Sequence, residues 1–212
     1  MEPTADSFEA PPPGKGSRGN HDFVINTVRW LDARPEELTD VCLEPELLDQ
    51  WCSSVFMDGK VVDRGGIDGL GMTLHLHVKG FMPHSFFIAV KIIDVVRHHW
   101  MRVAVSGDLE GVGDVTLVRD GDGCQFLLDW RMSFGRPWMR PLARVFHGAF
   151  VRNHKWAMNR ACRLVVVEVH RRREAEGGQI VRTRATFPHN LPMYGAWRRR
   201  SASARRRPLD WR

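Results

Sequence analysis

The sequence predicts an α+β fold: a curved antiparallel sheet of about seven strands wrapped on one long C-terminal helix, with two short helices after the first strand. Three features carry that prediction. Some segments alternate with the period of a half-buried strand. Met72, Leu74, Leu76 and Val78 stand against Thr73, His75, His77 and Lys79, and Cys124, Phe126, Leu128, Trp130, Met132 and Phe134 stand against Gln125, Asp129 and Arg131. Asp120-Gly121-Asp122-Gly123 ahead of the second of these is a strong hairpin signal. After Gly135 the apolar period becomes helical.

The elements follow in order. Phe23 to Leu31 reads as a strand, with Phe23, Ile25 and Thr27 on one face and Val24, Val28 and Trp30 on the other. Pro35-Glu36-Glu37-Leu38 opens a helix, because proline is tolerated in a first turn and acids suit the helix dipole there. A second short helix runs from Glu44 or Pro45 to about Trp51. Val55 to Arg64 is extended, and the glycines at 65, 66, 69 and 71 mark a loop. Met72–Lys79, Phe86–Val96, His99–Ser106, Leu109–Arg119 and Cys124–Phe134 complete the strands. In the second of these both rows, Phe86/Ile88/Val90/Ile92 and Phe87/Ala89/Lys91/Ile93, are mostly apolar, so alternation does not choose its inner face. From Pro137 or Pro141 to Arg173 helical spacing predicts about 33 residues of helix, roughly 50 Å, ending in Arg171-Arg172-Arg173, which complements a C-terminal dipole.

Composition bounds the function. The chain has 212 residues, 43% of them hydrophobic, enough for one domain with a real core. Its four cysteines show no paired spacing, which argues against a disulfide framework or a structural zinc. No apolar run reaches membrane-span length and the N-terminus lacks a signal-peptide stretch, so a cytoplasmic protein is expected. Only five of the 31 basic residues are lysine, a bias that suits a high-GC, bacterial genome. The net charge of +6 is unevenly placed: residues 178–212 hold nine Arg and one acid, a local +8, leaving 6 − 8 = −2 on 1–177. A near-neutral domain is not the footprint of a nucleic-acid-binding fold. Residues 1–20, rich in Pro and Gly, and most of the Arg-rich 177–212 read as disordered ends around a domain at 21–176. Phe187, Leu191, Met193, Tyr194 and Trp197 are the apolar residues of the tail able to dock locally.

Four segments resemble the START-like, or helix-grip (SRPBCC), superfamily, in particular its polyketide cyclase/dehydrase and lipid-transport branch. They are Pro35-Glu36-Glu37-Leu38, Leu47-Leu48-Asp49-Gln50-Trp51, the Gly71–Lys79 strand and Asn153-His154-Lys155-Trp156-Ala157-Met158. The resemblance covers about 23–170. It implies a space between sheet and helix that takes an apolar or amphipathic small molecule.

The residues expected to line that space are Leu74, Leu76, Phe126, Leu128 and Trp130 from strands, and Phe146, Ala149, Asn153 and Trp156 from the helix. Asn153, with His154 beside it, is the expected polar anchor, since a polar group on an apolar stripe must find a partner. The inward rows carry almost nothing ionisable. No triad, phosphate loop or paired carboxylate is present, and no catalytic residue, metal or cofactor is expected. Adjacent His98 and His99 would point apart on a strand, and His147 and His154 lie nearly two turns apart on the helix, which argues against a metal site. The expected function is binding of a hydrophobic small molecule, lipid or polyketide-like. The alternatives are a polyketide cyclase/dehydratase-type enzyme and an interaction module whose basic tail meets an acidic partner or anionic surface.

Overall fold

Residues 21–139, 141, 145–174 and 183–191 are described, in a computed structural model. Strand β1 (Phe23–Leu31) leads into helix α1 (Pro35–Cys42). Pro35 starts the helix, and the Glu37 carboxylate caps it by accepting the Arg34 backbone N–H at 2.8 Å. A 3₁₀ turn at Pro45–Leu47 precedes the short α2 (Leu48–Trp51). Six strands follow: β2 (Phe56–Asp63), β3 (Thr73–Lys79), β4 (Ser85–Val96), β5 (Trp100–Gly107), β6 (Leu109–Asp120) and β7 (Gly123–Phe134). The long helix α3 (His147–Arg173) closes the domain.

The seven strands form one antiparallel sheet in the order β1-β7-β6-β5-β4-β3-β2. Strands β2 to β7 are a meander, and β1 joins it beside β7. Register settles the face of β4. Leu74, Leu76 and Val78 lie directly opposite Val90, Ile88 and Phe86, so that row shares the inner face, and Phe87 and Ile93 turn outward. Asp120 pairs with Gly123, leaving a two-residue turn at Gly121 and Asp122. His98 and His99 are not on a strand. They sit in the β4–β5 turn, where His98 takes a left-handed φ of 66°.

The helix begins later than its apolar period suggests. It has 27 residues and starts at His147, so Phe146 sits at the N-cap position, 52% exposed. Pro137–Met139 form a separate 3₁₀ turn. The helix grips two clusters. Its C-terminal half, through Cys162, Val165 and Val169, packs on Leu31, Leu38, Val41, Trp51 and Val55. Its N-terminal half brings Phe150 against Phe134, with ring centroids 5.0 Å apart, and against Phe23 at 5.9 Å. The terminal arginines do more than meet a dipole. Arg171 and Arg172 bind the carboxylate of Glu168, which is only 2% exposed, Arg172 also reaches Glu44, and Arg173 reaches Glu37 at 2.7 Å. Burial would raise the Glu168 carboxyl, but the Arg171 and Arg172 guanidiniums hold it below its usual value. The end of α3 is thereby tied to α1 and to the turn after it.

Residues 183–191 return to the domain. Ser53 Oγ donates to Thr183 O, Ser54 N–H donates to Thr183 Oγ1 at 3.1 Å, and Thr186 Oγ1 donates to Gly80 O at 2.7 Å. The expectation of a mostly disordered tail from 177 therefore does not extend over this stretch. The expected N-terminal disorder at 1–20 and both arginine clusters of the tail lie outside the described residues. No described helix is long and apolar enough to cross a membrane.

Candidate functional site

Between the sheet and the N-terminal half of α3 lies a cavity of about 390 Å³. Its floor is the inner face of β3 to β7: Leu74 and Leu76, then Ile88 and Val90, Met101 and Val103, Val115, and finally Phe126, Leu128 and Trp130. Its roof is a helical stripe, Phe150, Asn153, His154, Ala157 and Met158, whose i, i+3, i+4, i+7, i+8 spacing is one face of α3. Leu43 after α1, Asp68 of the glycine loop and the β4–β5 turn with His98 and His99 border it at one end. Lys79, Gly80 and Asn153 border it elsewhere.

Six of the nine expected lining residues meet here: Leu74, Leu76, Phe126, Leu128, Trp130 and Asn153. Three do not. Phe146 precedes the helix and faces out. Ala149 and Trp156 lie one position before the true stripe, which runs through Phe150 and Ala157. Trp156 instead meets the edge of Phe81, centroids 6.3 Å apart, and packs with the cluster around α1 and α2. A helix advances 100° per residue, so an error of one position rotates a side chain out of the lining.

Two glycines shape the interior by what they lack. A Cβ on Gly113 would collide with the six-membered ring of Trp130, so this glycine lets the indole lie along the sheet floor. A Cβ on Gly80 would strike the Asn153 side chain, so Gly80 lets the amide of Asn153 reach the neighbouring chain.

The polar inventory is short. Asn153 is 6% exposed, and its Oδ1 accepts the Met82 N–H at 2.9 Å. His154 stacks with Trp130, centroids 6.0 Å apart at 22°. Its Nε2 is buried and has no hydrogen-bond partner among the described residues. Burial pushes the imidazole down to about 4, so the ring is neutral at ordinary pH. Lys79 is the residue that alternation misplaces. It belongs to the wet row of β3 yet is only 2% exposed, because residues 183–191 cover the strand end. Its Nζ donates to Met82 O and, at 3.0 Å, to Phe187 O. Burial lowers its pKa. No signal in the sequence points to this burial, since the covering segment is more than a hundred residues away in the chain. No group of three or more metal-ligating side chains occurs among the described residues.

A second hollow of about 380 Å³ lies at the surface between Pro83–Phe87, Arg136–Met139 and Pro188–His189. It is a shallow opening, and Arg136 and Asp108 within it are already paired at 3.0 Å. The space under α3, with its far larger apolar lining, is the stronger candidate.

No family model matches the chain, and no curated protein matches it in sequence. Solved structures do match in shape. The Zhui aromatase/cyclase from a Streptomyces species superposes with a TM-score of 0.57 at 13% identity, covering 74% of this chain and 99% of that one. The fold is a helix grip: an antiparallel sheet closed on a long C-terminal helix, as in that structure. A protein of Thermus thermophilus gives a TM-score of 0.54 at 16% identity over 68% of this chain and 98% of its own. A START superfamily protein of Mycobacterium smegmatis gives 0.50 at 16% identity over 64% and 93%. The helix-grip match thus takes in nearly the whole of each of these three neighbours and about two thirds to three quarters of this chain.

Proposed function

We propose that this helix-grip protein binds a hydrophobic small molecule, lipid or polyketide-like, in the space between its sheet and α3. One observation carries the reading: a cavity of about 390 Å³ lined mostly by aliphatic and aromatic side chains from all seven strands and from α3. That volume falls in the range of small-molecule sites, roughly 300–1,000 Å³. Leaving such a surface unfilled forgoes dispersion contacts and apolar burial that a ligand supplies. The flat indole of Trp130 and the flexible Met101 and Met158 suit a ring or a chain of variable shape.

The test is binding of an uncharged dye, Nile red, followed by its fluorescence, with native mass spectrometry of the protein purified from its own cells. Micromolar Nile red binding and a co-purified small molecule are expected. Ala157→Trp, which fills the roof of the cavity, is expected to weaken dye binding at least tenfold while the circular dichroism spectrum stays unchanged. Absence of dye binding to the wild type, or equal binding to a folded Ala157→Trp protein, overturns the reading.

A further inference from the structure

Asn153 and Lys79, which both border the cavity, each have a donor to spare. Asn153 has spent its acceptor: because Met82 offers an N–H, the atom facing it must be the amide oxygen, and the Nδ2 group is left on the other side. No acceptor for that Nδ2 is present among the described residues. The carbonyl of the same Met82 residue takes Lys79 Nζ, so Asn153 and Lys79 meet at one residue of the chain. An ammonium has three N–H donors, and Lys79 uses two, on Met82 O and Phe187 O. Lys79 has no carboxylate within ion-pair distance among the described residues, although it is almost wholly enclosed. An enclosed cation without a counter-ion is costly, and Lys79 and Asn153, both at the border of the cavity, favour an oxyanion between them.

We propose that the ligand is a hydrophobic acid whose carboxylate is received by Asn153 Nδ2 and the free N–H of Lys79, while its hydrocarbon part lies over Trp130 and the sheet floor. This deepens the binding reading above and rests on it. The carboxylate completes the hydrogen bonding of both side chains and supplies the missing counter-charge. It also reverses the burial effect that lowers the lysine pKa. His154 Nε2, in the neutral tautomer that carries its proton there, is a further donor beside Asn153.

The experiment compares dodecanoate with dodecanol, which share a chain and differ in the head, by isothermal titration calorimetry on the full chain at pH 7.5. Dodecanoate is expected to bind at least tenfold more tightly. Asn153→Asp is the decisive variant: a carboxylate at 153 still accepts the Met82 N–H but replaces the donor by an acceptor. It is expected to weaken dodecanoate at least tenfold more than it changes dodecanol, so that the preference for the acid is lost. Lys79→Met gives a second reading of the same kind, with the circular dichroism spectrum as its check of folding. Equal binding of acid and alcohol to the wild type overturns the proposal while leaving hydrophobic binding intact. Unchanged dodecanoate affinity in Asn153→Asp overturns the assigned anchor. Binding of neither ligand, nor of Nile red, overturns the binding reading and this proposal together.

Discussion

His154 illustrates how a single side chain can carry both stability and site chemistry. Its imidazole is buried neutral against Trp130, with the folded pKa pushed down to about 4 from a usual 6.5. The unfolded chain therefore binds a proton between those values that the folded chain refuses, and stability falls as pH drops from 6.5 towards 4. The full effect of that one group is at most roughly 3 kcal/mol. Replacing it by His154→Phe keeps a ring on Trp130 and removes the titration. Urea denaturation of the variant is expected to show a shallower loss of stability between pH 6.5 and 4 than the wild type, with the two converging in slope above pH 7. Parallel curves over the whole range would assign the ring to a solvated position. Asn153 was legible from its place on the apolar stripe. Lys79 was not, because strand alternation describes only what lies on either face of the sheet. It does not describe what a distant segment lays over a strand end.

At the scale of the element, the β6–β7 hairpin separates two reasons for glycine. Gly121 has a φ of +61° and nothing near its absent Cβ, so it is there for its backbone conformation. Its place as the first of two turn residues fits a type II′ hairpin. Gly123 has no such φ. A Cβ there would press on Leu31 O and on the Trp30 ring, so it is there for space. Any side chain at the positive φ of Gly121 is strained but meets no neighbour, so Gly121→Asn is expected to cost about 1 kcal/mol, whereas Gly123→Asn is expected to cost roughly 1–3 kcal/mol by overpacking. Thermal unfolding of the two variants decides the matter: equal losses would mean that the two positions are constrained alike. The turn was legible from Asp120-Gly121-Asp122-Gly123, but the two roles were not, since crowding by β1 is a tertiary fact.

For the whole molecule, the segment at 183–191 changes what counts as the domain. Its bonds from Ser53, Ser54 and Lys79, and its own bond to Gly80, bridge the α2–β2 connection and the end of β3. Truncation after residue 182 removes these and uncovers Lys79. With each hydrogen bond contributing a net of about 0.5–1.5 kcal/mol, the loss is expected near 2 kcal/mol, or roughly 4–8 °C in Tm for a chain of this size. Differential scanning calorimetry of the truncated chain checks this, and an unchanged Tm would show that the segment contributes no stability.

Strand alternation, the Asp-Gly turn and the change to helical period make the order of elements, and hence the helix-grip architecture, legible in the sequence. These are local signals, each complete within ten residues or so, and a sheet with one apolar face leaves few ways to cover it. The same signals placed Leu74, Leu76, Phe126, Leu128 and Trp130 on the floor, because a strand has only two faces and the apolar one turns inward. At Ala149 and Trp156 the lining of the roof differs from the expected stripe by a single helical position, because α3 is apolar on more than one side: one side covers the cavity and another meets α1 and α2. Which side faces the sheet depends on how two packed clusters share the helix. The inner face of β4, the burial of Lys79 and the docking of 183–191 were likewise decided by tertiary structure. Each depends on a partner strand or segment whose position local periodicity does not encode.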